Sequence, residues 1–106
     1  MPADLVWSPL ALADIRRIYI EIGREQPRAA ERFYDRFQHK ARLLIDQPRL
    51  GMRHPEISAA TRMLVEAPFV ILYETEPDDD ESPVKVVEIV RVVDGRRDMQ
   101  HLFPQM

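Results

Sequence analysis

The stretch Val92–Phe103 carries the most distinctive grouping of chemically versatile residues in the chain. Arg96 and Arg97 are adjacent, follow a tight-turn signal and precede Asp98. Guanidinium groups bind carboxylates and phosphates bidentately, so two arginines on a turn suit contact with a partner protein or with nucleic acid. The same arginines could instead pair locally, Arg97 with Asp98, and pin the tail of the chain. Both roles stay open at this point.

Other kinds of site find little support in the residue pattern. The sequence has no phosphate loop, no G-x-G-x-x-G, no H-E-x-x-H and no nucleophile elbow. It has no cysteine, and its three histidines, His39, His54 and His101, lack metal-ligand spacing. The acidic run Asp78–Glu81 lacks the spacing of a calcium loop, and we interpret it as a solvated hairpin tip. We therefore predict no metal site and no cofactor.

Charge is unevenly distributed along the 106 residues, whose net charge is −3. Residues 8–54 hold ten basic and six acidic side chains, whereas residues 55–106 hold five and eleven. The overall excess of acid disfavours a non-specific polyphosphate binder, because the field of the whole molecule would repel the ligand. No apolar run is long enough to cross a bilayer, and the N-terminus has no signal-peptide pattern. We expect one cytoplasmic domain, spanning residues 1–106, with no membrane partner.

Two amphipathic helices must position these groups. A short strand over residues 3–7 leads to Ser8, a good N-cap, and to Pro9, which fits the first helical position. An apolar stripe follows in the first helix, and a second helix is predicted from Pro27 until Pro48 ends it. Because only a few residues separate the two helices, they should form an antiparallel hairpin.

In the second half of the chain, apolar residues recur with the two-residue period of β-strands. Residues 48–61 are interpreted as a loop, and strands are predicted over Arg62–Glu66, Phe69–Glu76 and Val84–Val93. The predicted order is β-α-α-β-β-β with a short C-terminal tail. This is an α+β fold in which the helix hairpin packs on one face of a mostly antiparallel four-stranded sheet.

Several motifs, taken in chain order, resemble one known family. They are Trp-Ser-Pro-x-Ala-x-x-Asp-Ile from Trp7, Tyr19-Ile20, Pro48-x-x-Gly51, Arg62 at a strand start, and Ile89-x-x-Val92-Val93-x-Gly95-Arg96-Arg97-Asp98. Together they resemble ParE, the toxin of type II toxin–antitoxin modules in the RelE/ParE superfamily. The resemblance covers essentially the whole chain, and the Gly-Arg-Arg-Asp tail is its most specific part.

The resemblance implies a function that composition does not indicate. ParE-like toxins poison DNA gyrase by stabilising its cleaved DNA complex, and they are not known as hydrolases. A ParD-like antitoxin encoded alongside binds such a toxin through a C-terminal segment that folds onto it. We therefore expect a toxin that is not an enzyme, with a ParD-like antitoxin as partner, DNA gyrase as target and no sequence-specific contact with nucleic acid.

The RelE branch of the superfamily cleaves messenger RNA on the ribosome and is the alternative. In-line attack of a 2′-hydroxyl on phosphate needs a proton acceptor, a proton donor and cations. The possible set here is Glu66, Arg91, Arg97 and His101. Phe103 lies where that branch often has a C-terminal Tyr, and Asp94 stands where many relatives carry His. Because a ribosome binder should also be strongly basic, the acidic composition favours the gyrase poison.

Two sets of residues are predicted to contact partners. The charges predicted to face the target are Arg96 and Arg97, followed by Arg62 and Arg91. An apolar groove between the helix hairpin and the sheet is predicted to hold the antitoxin. Its candidate residues, which are also good core candidates, are Leu12, Ile15, Arg16, Tyr19, Phe33 and Tyr73. The basic half of the chain, from Arg16 to Arg53, would suit an acidic antitoxin tail.

Overall fold

The computed structural model describes residues 2–98 and has an α+β fold. A first strand is followed by two helices and then by four more strands. The elements are β1 (Asp4–Trp7), α1 (Pro9–Gly23), α2 (Pro27–Asp46), β2 (Met52–Arg53), β3 (Arg62–Glu66), β4 (Phe69–Glu76) and β5 (Val86–Asp94). Among the described residues, no helix is long and apolar enough to cross a membrane.

The start of α1 is fixed by the predicted N-cap. The Ser8 hydroxyl accepts the Ala11 N–H at 3.0 Å and donates to the Val90 carbonyl of β5 at 2.8 Å. Pro9 occupies the first turn, where no N–H is needed. One side chain therefore both begins the helix and anchors it to the sheet, which confirms the predicted start of α1.

The sheet has five strands in the order β1-β5-β4-β3-β2. β1 runs parallel to β5, and the other neighbours are antiparallel. The predicted four-stranded sheet lacked β2, because Met52–Arg53 was interpreted as part of a loop. A two-residue strand is too short to show any period, and it forms only because Met52 and Arg53 align with Met63 and Arg62.

The core lies between the helix hairpin and one face of the sheet. Phe69 of β4 packs edge-on against Phe33 and Phe37 of α2, with ring centroids 5.2 and 5.5 Å apart. Other buried contributors are Ala11, Ile15, Ile18, Ala41, Leu44, Ile71, Tyr73, Val87, Ile89 and Val92. Burial of these side chains is the main force that holds the two layers together.

A register shift in β5 determines how the sheet meets α1. Leu72 pairs with Arg91 and Tyr73 pairs with Ile89, so Val90 has no partner on β4. β1 ends opposite Ile89, which leaves the last part of β5 without a neighbouring strand on that side. The N-terminal half of α1 covers this free edge.

Candidate functional site

The arginine turn, residues 94–98, presents two guanidinium groups to solvent at the end of β5. The side chains of Arg96 and Arg97 are 72% and 67% exposed, whereas that of Asp94 is 5% exposed. Asp94 accepts the Arg96 backbone N–H at 2.8 Å and its Nη2–H at 3.1 Å. The hydrogen bond from the Arg96 side chain is the main reason why the pKa of Asp94 lies below its usual value. The turn is therefore ordered from within while both arginines face outward.

The partners of these arginines differ from the predicted local pair. Arg97 lies 3.4 Å from Asp94 and 3.9 Å from Glu21 of α1, while Asp98 accepts the Asp94 N–H at 3.1 Å. Gly95 packs closely on the turn before β4, because its N–H donates to the Pro68 carbonyl and a Cβ would make a tight contact of 3.2 Å with that oxygen. Both arginines remain accessible to a partner, and their contact with a target stays a prediction.

Arg91 is held by α1 and is only partly accessible. Its Nε and Nη2 donate to the carboxylate of Asp14 at 2.7 and 3.0 Å, and Asp14 also accepts the Val92 N–H at 3.0 Å. The hydrogen bond to Asp14 is the main cause of the raised pKa of Arg91. Arg91 thus ties β5 to α1, and its side chain is 33% exposed. The sequence did not suggest Asp14 as its partner.

Arg62 lies in the interior, contrary to its predicted position facing the target. It is 6% exposed, and it donates to the Gly51 carbonyl and to Asp80, each at 2.9 Å. Its place at the start of β3, beside the loop before β2, explains this burial. The guanidinium joins two loops and is covered by them, so it has little surface to offer a target.

Arg62 belongs to what we call the loop clamp, in which Arg49, Arg53 and Arg62 hold the acidic segment 78–82. Arg53 contacts Asp78 and Asp80, both at 3.0 Å. Arg49 donates to backbone carbonyls of the same segment. The pKa of Asp79 is lowered to about 2, chiefly by the backbone N–H of Ser82. The acidic segment is the exposed hairpin loop that was predicted, and the three arginines also anchor it.

Tyr73 fastens the Pro48-x-x-Gly51 loop from inside the core. Its hydroxyl donates to the Pro48 carbonyl at 2.9 Å and accepts the Gly51 N–H at 2.8 Å. Desolvation by burial raises the pKa of Tyr73. A Cβ at Gly51 would lie 2.6 Å from the Met63 carbonyl oxygen, so only glycine fits there. Tyr73, a predicted groove residue, is fully buried and acts as a structural anchor instead.

A groove of about 530 Å³ runs between the two helices, and we call it the hairpin groove. Its lining consists of Leu12, Ile15, Arg16 and Tyr19 from α1 with Glu31, Tyr34 and Asp35 from α2. All four predicted groove residues on α1 are present. Phe33 and Tyr73 are not, because both pack into the core. The groove therefore lies between α1 and α2, not between the hairpin and the sheet as predicted.

The floor of the hairpin groove is apolar and aromatic. Tyr19 and Tyr34 meet edge to face with ring centroids 6.1 Å apart, and both are about two-fifths exposed. Tyr34 follows Ala30 by four residues and precedes Phe37 by three, so helical spacing places it on the apolar face of α2. The sequence did not reveal that its exposed ring would face Tyr19 across the groove.

The charges on the two lips of the groove have no partner of their own. Arg16 lies on the α1 lip, and Glu31 and Asp35 lie on the α2 lip. Within residues 2–98, these three side chains form no ion pair within 4 Å and no side-chain hydrogen bond. One base and two acids give the lips a net charge of −1. The lips of the groove therefore carry charges of both signs, and the match of the basic half of the chain to an acidic antitoxin tail stays a prediction.

The residues considered for RNA cleavage do not converge on one free acid–base pair within residues 2–98. Glu66 lies 3.7 Å from Arg36 and 3.8 Å from Lys40 of α2, while Arg91 is bound to Asp14. His101 lies outside the described residues. In the same part of the chain, no group of three or more His, Asp or Glu side chains could hold a metal ion.

The comparisons with known proteins agree with this fold. The sequence matches the family model described as "ParE toxin of type II toxin-antitoxin system, parDE" over residues 5–99. The chain therefore belongs to the ParE toxin family of type II toxin–antitoxin systems, which confirms the resemblance seen in its motifs. No sequence among curated proteins matches it significantly.

Two solved structures share the fold. One, from the chromosomal ParDE system of P. aeruginosa, has a TM-score of 0.66 and 22% identity, covering 85% of this chain and 92% of the other. The other, from the RelBE2 toxin–antitoxin complex of Mycobacterium tuberculosis, has a TM-score of 0.54 and 23% identity, covering 87% and 96%. At this level of identity, the two structures establish the fold.

Proposed function

We propose that this ParE-family toxin poisons DNA gyrase through the arginine turn and breaks no bond itself. The observation that carries the proposal is the exposure of Arg96 and Arg97 beside a buried Asp94 whose pKa is low. Such an aspartate stays ionised near neutral pH, so it can orient the arginines but has no proton to donate. The arginine turn is therefore suited to binding a macromolecular partner.

The acidic composition supports the same choice over ribosome-dependent cleavage of messenger RNA. A protein that enters the phosphate-rich ribosome gains from a strongly basic surface, whereas this chain has a net charge of −3. Among the groups considered for cleavage, Glu66 and Arg91 are each occupied by ion pairs. The toxin would act in the cytoplasm, where its target is found.

A paired assay with purified protein tests this function. The toxin is incubated with gyrase, ATP and plasmid DNA, and separately with a translation extract. The proposal expects accumulation of cleaved DNA, loss of supercoiling and intact transcripts. Messenger RNA cleaved at defined positions together with unaffected gyrase would overturn it in favour of the ribonuclease.

The hairpin groove is proposed to receive the ParD-like antitoxin. The groove exposes Leu12, Tyr19 and Tyr34, which are large apolar side chains that a soluble protein gains by covering. A disordered antitoxin segment that folds into the groove as an amphipathic helix would bury them. Copurification of the toxin with the ParD-like protein encoded beside it tests this partner.

A further inference from the structure

We propose that the hairpin groove selects its antitoxin by charge, with Glu31 and Asp35 requiring basic residues along one flank of the bound helix. This inference rests on the proposed antitoxin role of the groove and adds the chemistry of the segment that fits it. The occupant is an amphipathic helical segment with an apolar strip, bordered by Lys or Arg on the side that faces α2.

The first support is the state of the charges on the lips. Within the described part of the chain, the arginines of the loop clamp and the arginine turn all form ion pairs with acids. Glu31 and Asp35 face Arg16 across the groove, yet no ion pair forms among these three within residues 2–98. The groove keeps the opposite charges apart, so each lip remains free to pair with an occupant.

The second support is the spacing along α2. Glu31 and Asp35 are four residues apart, so they lie one turn apart on the same face of the helix and border the same groove. Basic residues one turn apart on a bound helix would meet both acids at once. Arg16 on the α1 lip would favour an acidic residue on the opposite flank.

The third support is the length of the groove. A smaller apolar cavity of about 300 Å³ continues it past Tyr19 toward the turn between the helices. Its lining residues are Tyr19, Ile20, Gly23, Arg24, Pro27 and Ala30. From Leu12 to Gly23 the two cavities follow α1 for about 17 Å, at the rise of 1.5 Å per residue of a helix. That length accommodates about three turns of a helical ligand.

The test uses the full-length toxin and two synthetic 18-residue helical peptides that share one leucine strip. One peptide carries Lys along one flank and the other carries Glu, and Gln fills the remaining flank in both. We expect the Lys peptide to bind about fivefold more tightly, since each exposed ion pair contributes modestly. The double variant Glu31→Lys with Asp35→Lys should reverse that preference.

The matched control is Asp4→Lys with Asp46→Lys, which changes the net charge equally at exposed positions outside the groove. It should retain the preference for the Lys peptide, and circular dichroism confirms that both double variants are folded. Equal affinity of the two peptides, or a reversal in the control as well, would overturn selection by charge. Absence of binding by either peptide would overturn the groove as a helix site, whereas gyrase poisoning is tested separately by the DNA cleavage assay.

Discussion

The carboxylate of Asp14 on α1 binds the guanidinium of Arg91 on β5 through two hydrogen bonds of 2.7 and 3.0 Å. It also accepts the Val92 N–H, which has no strand partner on that side because β1 ends at Trp7. The buried carboxylate of Asp14 thus satisfies a hydrogen-bond donor on the free edge of β5. It also anchors the strand from which the arginine turn projects.

Asp14→Ala should lower the free energy of unfolding by about 3 kcal/mol. The substitution leaves the buried Val92 N–H and the partly exposed Arg91 guanidinium without their acceptor, and both losses are destabilising. Urea unfolding measures the change, with Asp46→Ala as an exposed control on α2. A change of less than 0.5 kcal/mol, a level typical of surface substitutions, would contradict this role.

Tyr73→Phe should destabilise the protein by about 1–3 kcal/mol. The change removes only the hydroxyl and leaves the buried Gly51 N–H without its acceptor. Thermal or urea unfolding measures the effect. Tyr34→Phe is the matched control, because its ring is 41% exposed and we expect almost no change there. Equal stability of the two variants would show that the hydroxyl does not anchor the loop.

The acidic segment 78–82, which the loop clamp holds, should make the free energy of unfolding depend on pH. Because the pKa of Asp79 is about 2 in the folded state and about 3.9 in an unfolded chain, its contribution is complete above about pH 5 and is lost progressively as the pH falls toward 2. Asp80, whose pKa is lowered chiefly by its hydrogen bond to Arg53, acts in the same direction. The urea midpoint of the wild type should fall more steeply than that of Asp79→Asn below pH 4. Parallel curves would show that the hydrogen bonds from Ser82 and Glu81 to the Asp79 carboxylate do not stabilise the folded loop.

Tyr19→Ala should weaken antitoxin binding by about tenfold while the toxin retains its effect on gyrase. Aromatic side chains at the centre of an interface often carry much of the binding energy, and Tyr19 contacts Tyr34 across the groove. Calorimetry with the ParD-like antitoxin measures the affinity. Leu10→Ala is the control, since Leu10 is 61% exposed on the same helix and does not line the groove. Equal losses in the two variants would place the antitoxin elsewhere.

The helices and their order were predictable because their signals are local. The Ser8-Pro9 start and the apolar stripes of α1 and α2 depend on spacing within a few turns. The same local signals identified β3, β4 and β5, although β5 begins at Val86 and ends at Asp94, not at Val84 and Val93.

The features that the sequence did not predict depend on contacts between residues far apart in the chain. β2 consists of only two residues and exists through its pairing with β3. The loop clamp joins Arg53 to Asp78, 25 positions away, and Asp14 meets Arg91, 77 positions away. Periodicity predicts that Leu12, Ile15 and Tyr19 share a face, but it does not predict how much of that face the sheet covers. Periodicity therefore could not show that an exposed groove would form between α1 and α2.

The most direct measurement of the central claim is gyrase-mediated DNA cleavage by the wild type, Arg97→Ala and Arg42→Ala. Arg97 lies in the exposed arginine turn, and Arg42 is an exposed arginine on α2 outside the groove. We predict that the wild type and Arg42→Ala accumulate cleaved plasmid equally. Arg97→Ala should accumulate at least tenfold less cleaved plasmid, while its affinity for the antitoxin is unchanged. Cleaved plasmid at the wild-type level with Arg97→Ala, or none with the wild type, would contradict the claim.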